Sequence, residues 1–476
     1  MKMNTASNPL WEGKGISAPA LNYTAGKDII LDKKLVPYEL KVIKVHIDML
    51  SKRGLLKNED NSKITAVLEE IKELDTLGKF QMKVELEDVH SNVEQYIISK
   101  LGMEIGGNVR LAIARNDQVY TDLRLFYKDE LNKNCQLLKK LILTLAQISE
   151  GHTQTIMPGY THLRISQPIT LGFFLCSKAY HFLDDLHNLE YDLAQINKCP
   201  LGIFEMSGTC ANIDRHYTAN ALGFSKPTEN ALYTANQRGE IEIKILSDLS
   251  LMALHIKRFV GELILFSTHE FGFLKISSKY TTGGTAQPNL ENPDTLEVMR
   301  ANCAKIMGAQ QTLFMMMGCL PSGFNRDTQE TKGVIFDALE LVGPTLILLE
   351  GIIKTCEFDT EKMQNTAEIN FSSAPDYTIE LAISSGLSFR ESYKIVKHII
   401  KNKMIKNSLR EIDSKMLSSC AQDLLGKKIS FENMPSLANF CTGKTALLRE
   451  SFGGSSQKQV MGMVHQLMAE VDKNQA

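Results

Sequence analysis

Arg115-Asn116-Asp117-Gln118-Val119-Tyr120-Thr121-Asp122-Leu123-Arg124 opens the tract that sets the architecture. From Asp117 to Gly151 apolar residues recur at helical spacing, at Leu123, Phe126, Leu131, Leu138, Leu141, Leu145 and Ile148, which marks one long amphipathic helix. No proline falls between Pro37 and Pro158, and proline is what breaks helix interiors. Leu171 to Ile196, Glu240 to His269, Asp294 to Met317 and Ile335 to Thr355 repeat the pattern. Helices well past the usual ~11–12 residues must bury an apolar stripe along their length, in a bundle or against another subunit. Strand signals are weak, so the expected class is mainly α.

Three parts follow: residues 1–115 with shorter helices, 116–365 with the long-helix bundle, and 366–476 as a smaller helical domain. The last is opened by the loop Asn370-Phe371-Ser372-Ser373-Ala374-Pro375-Asp376.

The 476 residues are 43% hydrophobic and 23% charged, the balance of an ordinary globular chain. Lys plus Arg number 53 and Asp plus Glu 55, a net charge of −2, so there is no basic footprint for nucleic acid. Nine cysteines, from Cys135 to Cys441, include no CxxC pair and read as reduced thiols, an expectation of a cytoplasmic protein. No signal pattern opens the chain, and no apolar run reaches the ~18 residues of a membrane span.

Polar residues gather at four helix ends or loops, where functional groups usually sit. They are Arg115-Asn116-Asp117-Gln118, the turn Met157-Pro158-Gly159-Tyr160-Thr161-His162, the loop Thr282 to Asp294, and Gly323 to Lys332. Each also has a plain structural reading: a helix cap, a surface histidine, a linker, a solvated helix start. His181, Asp185 and His187 lie together on one helix, but no HExxH or Cys/His framework is present. No metal and no cofactor are expected.

Taken in order, these segments resemble the argininosuccinate lyases of the aspartase/fumarase superfamily. Leu10-Trp11-Glu12-Gly13-Lys14 is similar to LWGGR, Glu87-Asp88-Val89-His90 matches EDVH, and the opening stretch matches RNDQVxTDLR. Met157 to Leu163 matches MPGYTHL, Pro200-Leu201-Gly202 with Gly208-Thr209 and Ile213-Asp214-Arg215 fits PLG…GT…IDR, and Asn325-Arg326-Asp327 with Gln329-Glu330 and Lys332 fits YNRDxQExK. Phe389-Arg390-Glu391 fits a C-terminal FRE motif. The resemblance runs nearly end to end. It implies a three-domain fold around a central long-helix bundle, a homotetramer with active sites shared between subunits, and a small amino-acid or dicarboxylate substrate.

It also implies a reaction, β-elimination across a C–N bond with release of fumarate, or the reverse addition. A base takes a proton beside a carboxylate, preorganised donors hold the resulting aci-carboxylate, and an acid assists the departing nitrogen. On the matching positions, Thr161 and His162 serve proton transfer with Glu297 as charge partner. Arg115 and Asn116 bind a carboxylate, Asn292 adds a hydrogen bond, and Gln329 and Lys332 hold carboxylates on the other side. His90 and Arg238 complete the substrate-binding set.

Departures from the pattern centre on one loop. The family's GSSxMPQKKNPD reads Gly283-Gly284-Thr285-Ala286-Gln287-Pro288-Asn289-Leu290-Glu291-Asn292-Pro293-Asp294 when aligned from its closing Asn-Pro-Asp. Gly284 stands for the first serine, the base of the family. Leu290 and Glu291 stand for two lysines. Thr285 offers a displaced hydroxyl. Elsewhere, HTGRSRND reads Arg110 to Asp117, the tyrosine before Asn-Arg-Asp is Phe324, Phe204 and Glu205 stand where small residues are expected, and Asp28 aligns loosely with a serine. Three readings stay open: a C–N lyase with a changed substrate, a family member without activity, and argininosuccinate lyase itself.

Overall fold

The computed structural model describes residues 16–406, 408–431 and 434–473; the motif Leu10 to Lys14 lies outside them. Five long helices dominate: α1 (Arg115–Gly151), α2 (Leu171–Ile196), α3 (Glu240–Ser267), α4 (Asp294–Met317) and α5 (Thr331–Thr355). Their limits agree with the periodicity to within a few residues, and α5 runs on through Pro344. In α1 the residues Leu123, Leu131, Leu138, Leu141 and Leu145 are all sealed from solvent. Each such leucine contributes about 1.5–3 kcal/mol of apolar burial.

The chain divides into two compact units. The first holds Met1–Gln136, Asp185–Leu254 and Asn302–Pro344; the second holds Leu137–Asp184, His255–Ala301 and Thr345–Ala476. Within the first, shorter helices precede α1, among them Val36–Lys52, Asn58–Thr76 and Val89–Leu101. A core of Val42, Ile113, Leu125, Leu201 and Phe224 joins them to the segment after α2.

The second unit carries a feature the sequence concealed. Met157 to His162 is not a turn. Residues Ile156–Thr161 (β1) pair antiparallel with Arg164–Thr170 (β2), register Thr161 opposite Arg164, and the reversal is His162-Leu163 alone. Both of those residues have positive φ, 54° and 56°, as a two-residue hairpin turn of this type requires. Gly159 is needed where β1 irregularly shifts register, because a Cβ there would sit 2.4 Å from the Gln167 carbonyl oxygen.

Further along this unit, Ala374–Ser385, Phe389–Lys401 and Ser414–Leu425 enclose Tyr377, Leu381, Ile395, Ile399 and Leu417. The Phe-Arg-Glu motif is structural here: Glu391 accepts from the Ser388 amide at 3.0 Å and closes a capping box. Arg449 fastens the same region, bonding Asp376 at 2.7 Å and the Pro168 carbonyl at 2.5 Å. No described helix is long and apolar enough to cross a membrane.

Candidate active site

The start of α1 is built to hold a fixed geometry. Asp117 is fully buried. One of its oxygens accepts the Ala114 amide at 2.8 Å, while the other takes the amides of Gly202 and Phe204 at 2.8 and 3.0 Å. A carboxylate is thus welded to a helix N-terminus and to a loop. Arg215 secures that loop from the other side, donating to the carbonyls of Leu201 and Thr228. The loop presents Glu205, whose carboxylate accepts a short hydrogen bond from the Asn116 amide. Ala112 and Phe204 hold positive φ on either side of this junction.

A second anchor is the EDVH segment. Glu87 sits at φ 69°, a costly conformation for a side-chain-bearing residue. Asp88 caps the following helix, accepting the Ser91 amide at 2.7 Å, and pairs with Arg115 at 2.9 Å. Glu87 lies 3.4 Å from both Arg115 and Arg326. His90, the second residue of that helix, is buried and meets Glu39 at 2.8 Å and Asp122 at 3.8 Å. Burial pulls its imidazole down, but Glu39, Asp88 and Asp32 together hold it above the ordinary value. Both Asp122 oxygens are buried without a hydrogen-bond donor. Burial and the neighbouring Glu39 push this carboxyl well above the usual range. Asp122 thus binds a proton more tightly than an ordinary carboxyl. The buried Glu39, His90 and Asp122 atoms also have the mutual spacing of a metal-ligand group.

One cleft of the first unit gathers Arg115, Asn116, His90, Arg238, Gln329 and Lys332, six of the positions expected from the sequence. It adds Asp28, Asp32, Glu87, Asp88, Phe324 and Arg326, which sequence reasoning had left without a role in binding. Lys332 is 1% exposed, and its ammonium lies 2.5 Å from Asp28 and 2.6 Å from Asp32. Burial would lower its pKa, yet the two aspartates hold it above the ordinary value. Burial raises Asp28 to about 6 in spite of the Lys332 charge. Arg238 is buried with its Nε and Nη1 unbonded, and its guanidinium lies 5.2 Å from the Phe324 ring centre. Gln329 donates to the Thr24 carbonyl at 2.5 Å. A signal for Asp28 existed: two aspartates four residues apart ahead of an apolar helix ask for a buried cation.

The remaining expected residues belong to the second unit and do not line this cleft. Thr161 ends β1, His162 forms the exposed hairpin tip, and Glu297 stands in the first turn of α4. Thr285 and Asn292 lie in the loop ahead of α4. A short ladder pins its base, Thr282 opposite Asn292 and Gly283 opposite Glu291, and Thr282 hydrogen-bonds Asp294. At Gly284 a Cβ would lie 2.9 Å from the Gln287 carbonyl oxygen.

Comparison with known proteins places this arrangement. A family model described as lyase matches residues 14–308. Argininosuccinate lyase of Lachnoclostridium phytofermentans is 34% identical over 399 residues, 84% of this chain and 86% of that protein. Argininosuccinate lyase of Streptococcus agalactiae is 32% identical over 459 residues, 96% of this chain and 97% of that one.

The chain belongs to the argininosuccinate lyase family. It is an enzyme of the carbon–nitrogen lyase class. Among solved structures, EDDS lyase in complex with formate superposes with a TM-score of 0.81 at 22% identity, covering 97% of this chain and 92% of that one. Class II fumarase from Schistosoma mansoni gives 0.72 at 17% identity, covering 93% and 97%. At these identities the likeness is one of fold, and the fold is that of the aspartase/fumarase superfamily.

Proposed function

We propose that this argininosuccinate lyase family member cleaves an N-substituted aspartate other than argininosuccinate, releasing fumarate, or adds an amine to fumarate in reverse. In the forward direction a base takes the proton from the carbon beside the succinyl carboxylate. The electron pair forms the carbon–carbon double bond as the C–N bond breaks, and the nitrogen leaves with a proton. Arg115, Asn116, Gln329 and Arg238 bind the carboxylates, where planar donors suit the task. Thr161 and His162 move protons with Glu297 as charge partner, and Thr285 is the loop's remaining hydroxyl. Asn292 donates to the substrate. The hairpin presents His162 at its exposed tip.

One observation carries the change of substrate. Gly284 is more than an absent serine, since any Cβ at that position would meet the Gln287 carbonyl; the loop conformation is built around glycine. Exposed apolar residues along the long helices, Phe314 at 52%, Met315 at 76% and Ile347 at 55%, support a homotetramer with shared sites. We read the chain as the three domains 1–115, 116–365 and 366–476, acting in the cytoplasm on a small-molecule substrate.

The test is to incubate the purified protein with argininosuccinate and follow fumarate absorbance. Turnover below ~1 s⁻¹, the floor of the common enzyme range, is expected, together with adducts when fumarate is offered other amines. Turnover of ~1–10³ s⁻¹ would establish the second reading, argininosuccinate lyase itself. That reading is favoured by the 32–34% identity to enzymes of that name.

A further inference from the structure

Glu39, His90 and Asp122 come from three different helices of the first unit, Val36–Lys52, Val89–Leu101 and α1, and are 0%, 2% and 0% exposed. One nitrogen, His90 Nδ1, faces both acids, with Glu39 Oε2 at 2.8 Å and Asp122 Oδ2 at 3.8 Å. The three ligand atoms all lie within 4.8 Å of one another. A zinc ion with bonds of ~2.0–2.2 Å holds its ligand atoms roughly 3–3.5 Å apart, so small adjustments of these side chains admit one. Gln118 stands one turn before Asp122 on the same face of α1, and its Nε2 donates to Glu39 Oε1 at 3.0 Å. The group is rich in acceptors and poor in donors. Both Asp122 oxygens and Gln118 Oε1 are buried with no hydrogen-bond partner. The Gln118 amide and the His90 ring are both directed at Glu39. The Lys332 charge also acts on Asp122, but that ammonium is bonded to Asp28 and Asp32 at 2.5 and 2.6 Å.

We infer that Glu39, His90 and Asp122 form a binding site for a divalent transition-metal ion of the zinc class, with the Gln118 amide oxygen as a further ligand, and that the ion ties three helices together at the wall of the cleft. Buried carboxylates are kept in proteins by a paired charge or by a metal. A single proton between Glu39 and Asp122 would satisfy one Asp122 oxygen and leave the other, with Gln118 Oε1, bare. One metal ion can be shared by Asp122, Glu39 and Gln118 together. An imidazole with carboxylates suits zinc, whereas magnesium and calcium favour shells of oxygen alone. His90 also lines the cleft, which gives an ion a route to the site. The ion serves the fold rather than the elimination: it fixes the ring of His90 and the start of α1. The sequence hides this group because its ligands are spread from residue 39 to residue 122 with no short motif joining them.

The probe is zinc. The full-length protein is stripped with a chelator, dialysed against zinc at about pH 8, where the carboxylate ligands are deprotonated, and freed of loose metal by gel filtration. Zinc content is measured by elemental mass spectrometry and the ligand set by zinc X-ray absorption. About one zinc per chain is expected, with nitrogen and oxygen neighbours at ~2.0–2.2 Å and no sulfur at ~2.3 Å. The melting temperature is expected to rise on zinc loading. Asp122→Asn and Glu39→Gln keep the size of each side chain and are expected to weaken retention at least ~10–100-fold, with the rise in melting temperature lost. His255→Ala is the control for the stacked His181 and His255 rings, whose centres lie 4.6 Å apart, and should leave retention unchanged. Zinc retained by folded Asp122→Asn and Glu39→Gln, zinc lost in His255→Ala, or sulfur among its neighbours would place the metal elsewhere and overturn the inference. So would a stripped parent protein that takes up no zinc, since the group then holds a proton instead. Should either carboxylate variant fail to fold, the other decides, together with the zinc content and ligand set of the parent protein.

Discussion

Removing the ammonium of Lys332 should expose what holds this cleft together. Lys332→Met keeps the length of the side chain but leaves Asp28 and Asp32, 7% and 0% exposed, without the ammonium between them. Both contacts are close, 2.5 and 2.6 Å. Breaking a buried pair by deleting one partner costs about 3–5 kcal/mol, chiefly because the abandoned charge stays buried. At ~2–4 °C per kcal/mol the melting temperature should fall on the order of 10 °C at pH 8. The loss should shrink at pH 5, because Asp28 already titrates near 6 with the lysine in place and takes up a proton more readily without it. Adding Asp28→Asn to Lys332→Met should recover more than half of the loss. Thermal unfolding followed by circular dichroism at the two pH values provides the readout. A Lys332→Met protein melting within about 2 °C of the parent at pH 8, under 1 kcal/mol, would refute the idea that Lys332 is a buried counter-ion to two aspartates.

Three other outcomes are expected. His162→Ala should lower the fumarate-forming rate by ~10²–10⁴, the usual worth of a positioned acid or base, with the circular dichroism spectrum unchanged because the side chain is exposed at a hairpin tip. Gly284→Ser should not confer argininosuccinate cleavage and should make the loop more sensitive to limited proteolysis, since the new Cβ must displace the Gln287 carbonyl; a gain of turnover would mean the loop accommodates a serine. Asp28→Asn should flatten a pH dependence of stability. With a folded pKa of about 6 above the ordinary 3.8, the folded chain keeps a proton that the unfolded chain has released, so this contribution is present at about pH 4 and lost as pH rises through 6.

How far the sequence was legible depends on the range of the interaction. Periodicity over more than twenty residues made α1 to α5 readable, because a helix that long shows its buried stripe many times over. The β1–β2 hairpin was not. Pro158 and Gly159 inside β1 look like turn residues, while the true turn, His162-Leu163, uses two side-chain-bearing residues at positive φ, where glycine or asparagine would have announced it. The site divides similarly. Arg115, Asn116, His90, Arg238, Gln329 and Lys332 were legible through motif order, and the fold brings all six to one cleft. What they touch was hidden. Asp32 reaches Lys332 across 300 residues of chain, and Glu39 reaches Gln118 across 79, pairings that only tertiary packing creates.

The central claim, fumarate chemistry at a C–N bond, is tested most directly in D₂O. Fumarate, 1,4-diaminobutane and the protein are combined, and the product is examined by mass spectrometry and proton NMR. The account predicts an N-substituted aspartate carrying a single deuterium at its methylene carbon, in one stereochemical configuration, formed by the parent protein and lost in His162→Ala. Fumarate recovered unchanged from this mixture and from a wider panel of amines, with argininosuccinate likewise uncleaved, would contradict it.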